Sequence, residues 1–260
     1  MITIDVNPIA FTIFGIGIRW YGVMVALGIT VLVFWIMWQV RRGARISYDR
    51  VLTAALVGIP SAILVSRLLH VADRWEFYGQ NPGLIFGLGG LAGLTIWGAV
   101  LGATLGVWVY SRFSDFDFGY FADLAAPGVI LAQVLGRIGC TLNGCCFGGE
   151  TDIFCAIVYT HPESYAPLGI GVHPTTIYEI IYLLIVFGVL LGIRGRLRPD
   201  GSLYMIYLSL YSVWRIGIGF IRDGTPFLFG LHQAQVVGIV VLAITIPIML
   251  MRTRWLSKQE

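Results

Sequence analysis

"WYGVMVALGITVLVFWIMWQVRRGAR", residues 20–45, decides the architecture. From Trp20 to Val40 no side chain is charged, and then Arg41, Arg42 and Arg45 follow within five residues. About 20 apolar residues match the hydrocarbon core of a bilayer. A basic block directly after such a run marks the cytoplasmic end of a helix. The pattern recurs along the chain. Counting the first run from Phe14, apolar stretches fall at 14–40, 51–73, 93–111, 120–142, 174–193, 201–221 and 234–251. The expected fold is an all-α polytopic membrane protein with seven transmembrane helices, residues 1–260 forming a single integral membrane domain. Composition agrees: 57% of residues are hydrophobic and 12% charged, where soluble domains carry about 25% charged residues. The N-terminus lacks a basic n-region and its first apolar run is long enough to span, so no cleavable signal peptide is expected.

Sixteen of the seventeen basic residues are Arg. Eleven of the seventeen lie in the connections after the first, third and fifth runs and in the tail: Arg41, Arg42, Arg45, Arg50, Arg112, Arg194, Arg196, Arg198, Arg252, Arg254 and Lys258. By the positive-inside rule that side is cytoplasmic, which places the N-terminus outside and the C-terminus inside. A formal charge of +3 is then topogenic, and no nucleic-acid partner is expected. On the outer side, "WEFYGQNPGLIFGLGGLA" (75–92) is Gly-rich and too short on apolar continuity to span. It is read as a re-entrant segment, which needs protein or a wet cavity around it. The loop at about 143–173 is read as a small outer head with a strand in "FCAIVY" (154–159). Gly98, Gly102 and Gly106 repeat every four residues, a stripe that lets helices pack closely.

Three arginines fall inside the runs. Arg67, Arg137 and Arg215 each lie about five or six residues before the outer end of their span. At about 1.5 Å per residue all three sit at one depth, roughly 7–10 Å below the outer surface. Arg222 follows Arg215 by seven residues and Tyr211 precedes it by four, which on a continuous helix is one face. Burying Arg within a span costs at least a few kcal/mol, so each needs a partner or a task. Glu179 can pair with one of them, and Asp123 lies near the opposite side. The surplus cations suit an anion at headgroup depth, a phospholipid phosphate. The competing reading is a structural network of arginines with Glu179 and carbonyl groups.

"GRIGCTLNGCCFGG" (136–149) carries Arg137 into a glycine-rich turn. Three readings compete for it: a metal site, a disulfide, and a phosphate pocket whose successive amides form an anion-binding nest, with Asn143 as a further donor. The spacing of Cys140, Cys145 and Cys146 is unlike the paired hooks of zinc sites, so no metal and no cofactor are expected. A disulfide through Cys155 is compatible with an outer location, and no cysteine is read as a nucleophile. His173 opens "HPTTIYE" (173–179) ahead of the fifth run.

These stretches together resemble the bacterial prolipoprotein diacylglyceryl transferase family over nearly the whole chain. The matching segments are "IRWYGVMVALG" (18–28), "VSRLLHV" (65–71), "GGLAGLTIWGAVLG" (89–102), "GRIGCTLNGCCFG" (136–148), "HPTTIYE" (173–179) and "LYSVWRIGIGFIR" (210–222). The resemblance implies a multi-pass enzyme of the bacterial cytoplasmic (inner) membrane, active in lipoprotein biosynthesis. Its partners would be phosphatidylglycerol, as membrane lipid, and the signal-peptide lipobox of a prolipoprotein. The diacylglyceryl group would pass to the lipobox cysteine thiol, forming a thioether and releasing glycerol 1-phosphate. It further implies that Arg137 and Arg215 are catalytic, holding the lipid phosphate. Tyr21, Asn143, Gly148, Tyr211, Arg222, Arg67 and His173 would contribute to substrate binding. Two positions depart from the family pattern. Trp97 stands where many members carry a histidine proposed as the base, and Gly219 stands where a glutamate is common four residues after the second arginine. A divergent phospholipid-binding or headgroup-transferring paralogue, and an anion transporter, are the alternative functions; a transporter would show internal repeats, and none is visible.

Overall fold

The computed structural model describes residues 1–85, 95–222, 224 and 226–255. Among these, eight α-helices dominate: α1 (Trp20–Arg41), α2 (Tyr48–Asp73), the short α3 (Trp75–Gln80), α4 (Ile96–Arg112), α5 (Phe118–Asn143), α6 (Thr175–Ile193), α7 (Ser202–Ile218) and α8 (Gln233–Arg252). By length and composition α1, α2, α5, α6 and α8 could each cross a membrane. α4 and α7 have 17 residues each.

The fold is not all-α. Among the described residues seven short strands accompany the helices: β1 (Ile2–Ile4), β2 (Ile9–Ile13), β3 (Ile16–Arg19), β4 (Ile157–Tyr159), β5 (Gly171–Val172), β6 (Leu197–Arg198) and β7 (Arg254–Trp255). The first apolar run begins too early for the helix. Residues 9–19 form an antiparallel hairpin that turns at Phe14 (φ 49°) and Gly15 (φ 80°), and α1 starts only at Trp20. Alternating β-branched Ile and Thr favour the pleated form there, and a left-handed glycine breaks the helical continuity. The sixth run is also shorter than expected. α7 ends at Ile218, so Arg222 does not lie on the helix that carries Arg215.

Small residues set the packing. The stripe Gly98, Gly102 and Gly106 on α4 lies against Ser66, Ser61 and Val65 of α2, where a Cβ at Gly102 would stand 2.5 Å from the Ser61 carbonyl oxygen. On the other side α1 meets α5, with a Cβ at Gly28 falling 2.9 Å from the Ala132 carbonyl oxygen. Backbones this close recruit dispersion rather than hydrophobic exclusion, the force available between helices in lipid. α5 is the most enclosed of the long helices. Its Ala126 and Ile130 sit in a core with Trp97 of α4, Leu183 and Leu190 of α6 and Tyr207 and Tyr211 of α7. The outer flanks stay apolar and exposed, as at Leu56, Ile185 and Leu250, which is the surface a lipid environment tolerates.

The connections gather at two ends. At the basic end Arg45 pairs with Asp200 at 3.2 Å, β6 pairs with β7, and Asp123 accepts hydrogen bonds from the amides of Gly201 and Tyr204, 2.8 Å each, capping α7. At the other end β1, β4 and β5 form a three-stranded sheet over Ile157, Tyr159, Ala166 and Val172. β1 lies parallel to β4, pairing Ile2 with Ile157 and Ile4 with Tyr159. The segment expected to be re-entrant is described only to Ile85, as α3 and a 3-10 turn at Pro82–Leu84; residues 86–94 lie outside the described residues.

Candidate functional site: arginines around one carboxylate

The site is built where α5, α6 and α7 meet beneath the sheet. Arg137 projects from the last two turns of α5, and its Nε lies 2.9 Å from Oε1 of Glu179. Glu179 sits in the second turn of α6. Its second oxygen is 3.6 Å from Nη1 of Arg215 on α7, and the hydroxyl of Tyr211, one turn earlier, donates to Oε1 at 3.1 Å. All four side chains are buried, Arg137 being 6% and Arg215 7% exposed. The carboxylate is therefore shared between two guanidinium groups rather than committed to one. Two cations and one anion leave a surplus positive charge in a desolvated place, where an uncompensated ion costs several kcal/mol. The hydrogen-bonding balance is equally incomplete. Among the described residues, Nε and Nη1 of Arg215 are buried and have no hydrogen-bond acceptor, and 3.6 Å is too long for one. Arg222 adds a further positive charge within electrostatic reach of Glu179 and Arg215.

The glycine-rich turn after Arg137 does something other than cradle an anion. α5 closes with Gly144 left-handed at φ 66°, and the Cys145 amide donates to the Cys140 carbonyl at 3.1 Å, the six-to-one bond of a Schellman cap. The Gly148 amide donates to the His173 carbonyl and that of Gly149 to the Ile221 carbonyl, 3.0 Å each. These amides are consumed inside the fold, so the expected nest is not formed by them. They tie the end of α5 to the start of α6 and to the segment after α7. A Cβ at Gly148 would meet Cβ of His173 at 2.7 Å and the Ile221 carbonyl oxygen at 2.9 Å, so only glycine permits the three strands of chain to meet. Gly148 and Arg222 form an isolated bridge, which holds Arg222 beside the cluster although the helix has ended. Asn143 accepts from Nη1 of Arg19 at 3.1 Å, and Arg19 in turn pairs with Glu163 of the head at 3.6 Å.

The comparisons with known proteins converge. The family model described as prolipoprotein diacylglyceryl transferase matches residues 8–251. The chain belongs to that family. A phosphatidylglycerol–prolipoprotein diacylglyceryl transferase of Dehalococcoides mccartyi is 52% identical over 98% of this chain and 96% of its own length. Proteins of the same name from Clostridioides difficile and Lysinibacillus sphaericus are 34% and 30% identical, over 90% and 94% of this chain and 90% and 91% of theirs.

As a member of the prolipoprotein diacylglyceryl transferase family, this chain gathers most of the residues singled out above. Tyr21 is brought to Arg137 by close packing of α1 on α5: a Cβ at Gly139 would lie 3.1 Å from Cα of Tyr21. His173 stands behind Gly148, with Nδ1 buried and without a hydrogen-bond partner among the described residues. Trp97 is 2% exposed, its ring 5.1 Å from that of Tyr211, and its Nε1 donates to the Ala234 carbonyl at 3.2 Å. An indole has no lone pair to receive a proton, so at this position Trp97 packs on Tyr211 and cannot act as a base. Arg67 is occupied elsewhere. It donates to the carbonyls of Ile85 and Leu84 at 2.9 and 2.8 Å and lies over the Tyr78 ring at 5.0 Å, holding the segment after α3 to α2.

Two features escaped the sequence. Gly219 has Gln235 of α8 in the space its side chain would take, with Cγ at 2.5 Å and Nε2 at 2.6 Å. A neutral amide therefore fills the volume beside Gly219, its Nε2 donating to the Ile216 carbonyl at 3.0 Å. The second feature is the meeting of Cys140, Cys145 and Cys146. The spacing argued against convergence, but a Schellman cap brings the residue after the left-handed glycine back over the helix's last turn. Glycine at 144 with cysteines on both sides was the available signal. The Cys146 thiol lies well below the usual range, because the neighbouring Cys140 and Cys145 thiols hydrogen-bond to it and Arg222 and Arg137 favour its anion.

Proposed function

We propose that this protein transfers the diacylglyceryl group of phosphatidylglycerol to the lipobox cysteine thiol of a prolipoprotein, forming a thioether and releasing glycerol 1-phosphate. The observation that carries this reading is the carboxylate of Glu179 divided between Arg137 and Arg215. The net charge of that trio is +1, which matches one phosphodiester. As the substrate thiolate displaces the phosphate ester, the leaving group becomes a monoester with a second ionisable oxygen, and negative charge grows on the phosphate. Arg215, with two buried donors unfilled, and Arg222 are placed to receive it. Donors aimed at charge that develops in the transition state accelerate the step. The same positive field favours the thiolate over the thiol, and His173 offers an unfilled buried nitrogen for the proton.

In this reading the seven long helices each cross the bacterial inner membrane, α4 and α7 at the short end of the roughly 17–25 residues that suffice. The sheet faces outward and the basic end lies in the cytoplasm, so the site sits in the outer leaflet beside both the lipid and the lipobox segment. Membranes containing the enzyme are incubated with phosphatidylglycerol and a lipobox peptide, and the peptide mass is followed. A gain of one diacylglyceryl group is expected, abolished by Arg137→Ala and by Arg215→Ala. Folded protein that yields no such gain overturns the assignment.

A further inference from the structure

Cys140, Cys145 and Cys146 lie with their sulfur atoms all within 4.8 Å of one another, and none is in a disulfide. Neighbouring residues ordinarily direct their side chains apart, so two adjacent cysteines aimed at one point need an unusual backbone. Gly144 and Cys146 both adopt φ 66°. For a non-glycine residue the left-handed form costs roughly 1–2 kcal/mol, and at Cys146 it turns the chain back so that both thiols face Cys140. Thr175 fixes this conformation by donating its hydroxyl to the Cys146 carbonyl at 2.5 Å. Around the sulfurs stand hydrogen-bond donors: Nη1 of Arg137 is 3.9 Å from Cys140 Sγ and Nδ2 of Asn143 is 3.7 Å from Cys145 Sγ.

We propose that these three cysteines form a binding site for a soft, thiophilic d10 metal ion of the Cu(I) or Zn(II) kind, held by three thiolates. The donor set is sulfur alone, which disfavours hard cations such as Mg²⁺ and Ca²⁺ and selects soft ones. With metal–sulfur bonds of about 2.3 Å, three ligands around one ion stand roughly 3.8–4.0 Å apart, so the trio needs to contract by no more than about 1 Å. On binding, each S–H gives its proton to solvent as the metal–sulfur bond forms, and nothing is oxidised or reduced. Three thiolates with a monovalent or divalent ion carry a charge of −2 or −1, and Arg137 and Arg222 supply the counter-charge. The proposal does not depend on the transferase reading, although the two share Arg137 and Arg222, and it is tested on the protein without lipid or peptide.

The protein in detergent, kept anaerobic and freed of reductant, is titrated with Cd²⁺ as a probe, followed by its sulfur-to-metal charge-transfer absorption. Zn²⁺ and Cu(I) then compete in separate arms, and the tighter competitor identifies the ion. One equivalent per chain is expected, lost in Cys140→Ser, Cys145→Ser and Cys146→Ser and kept in Cys155→Ser. Alkylation of the unaltered protein gives a second readout that no variant can confound. Bound metal should protect Cys140, Cys145 and Cys146 while Cys155 reacts as before. Binding that survives all three substitutions, protection that does not distinguish Cys155, or a disulfide found among the three would overturn the site.

Discussion

Glu179 decides how much positive charge the site presents. Its carboxylate faces Arg137 and Arg215 at once, and removing one member of a buried ion pair typically costs about 3–5 kcal/mol because the partner charge is left uncompensated. Glu179→Gln is therefore expected to destabilise the protein by about that much, and added glycerol 1-phosphate should restore part of the loss by binding the freed arginines. Thermal unfolding in detergent with and without the phosphate checks both halves; a variant that melts like the parent would mean the arginines find acceptors elsewhere. His173→Gln tests the proton's route. A lost proton acceptor lowers turnover by about 10²-fold or more with the apparent affinity for phosphatidylglycerol kept, whereas a fall in affinity alone makes His173 a binding residue. At this scale residue number along a span gives depth and nothing more. Arg67, Arg137 and Arg215 share a level by that reckoning, and two of them meet, while Arg67 spends its donors on Leu84 and Ile85. Which way each helix is rotated, and that one carboxylate serves two arginines, depends on packing that spacing alone does not encode.

Among the elements, the contact between α2 and α4 is the most exacting. A side chain at Gly102 runs into the Ser61 carbonyl oxygen and Val65, backbone and branched carbon that cannot swing aside. Gly102→Leu is expected to force the helices apart at a cost of about 3 kcal/mol, the upper range for overpacking, seen as a lower melting temperature and loss of transfer. Gly188→Leu on α6 is the control, because a Cβ there meets nothing within 4 Å. Equal damage from both would remove the steric account. The four-residue repeat made this interface legible in the sequence, since the periodicity of small residues survives without knowledge of the partner. Helix ends were legible where the apolar run and the helix coincide, as in the fourth run, expected at 120–142 and found as α5, whose start is capped by the Asp117 side chain accepting from the Tyr120 amide. They were misjudged where hydropathy continues past the helix. Apolar strands and apolar helices look alike on a hydropathy count, which is why the hairpin before Trp20 and the turn after Ile218 were absorbed into spans.

The described residues have one basic end, with the short β6–β7 pair, and an opposite end that carries the three-stranded sheet. A fluorescent protein that matures only in the cytoplasm is expected to glow when fused after Glu260 and to stay dark when inserted at His161 in the head. The reverse result would invert the orientation and put the arginine site in the wrong leaflet for a lipobox. The distribution of Arg blocks made the two ends legible. In the sheet, the strand expected in 154–159 is found as β4, but its partner was not legible, since β1 and β4 pair across more than 150 residues and nothing local announces such a partner. That pairing also orders events during synthesis. The segment at Ile2–Ile4 emerges from the ribosome well before its mate at Ile157–Tyr159, which appears only after α5 has been made. In the proposed orientation the leading strand crosses the membrane early and waits there with its edge unsatisfied. Until the later segment arrives, that edge is open to any extended peptide or translocation chaperone nearby.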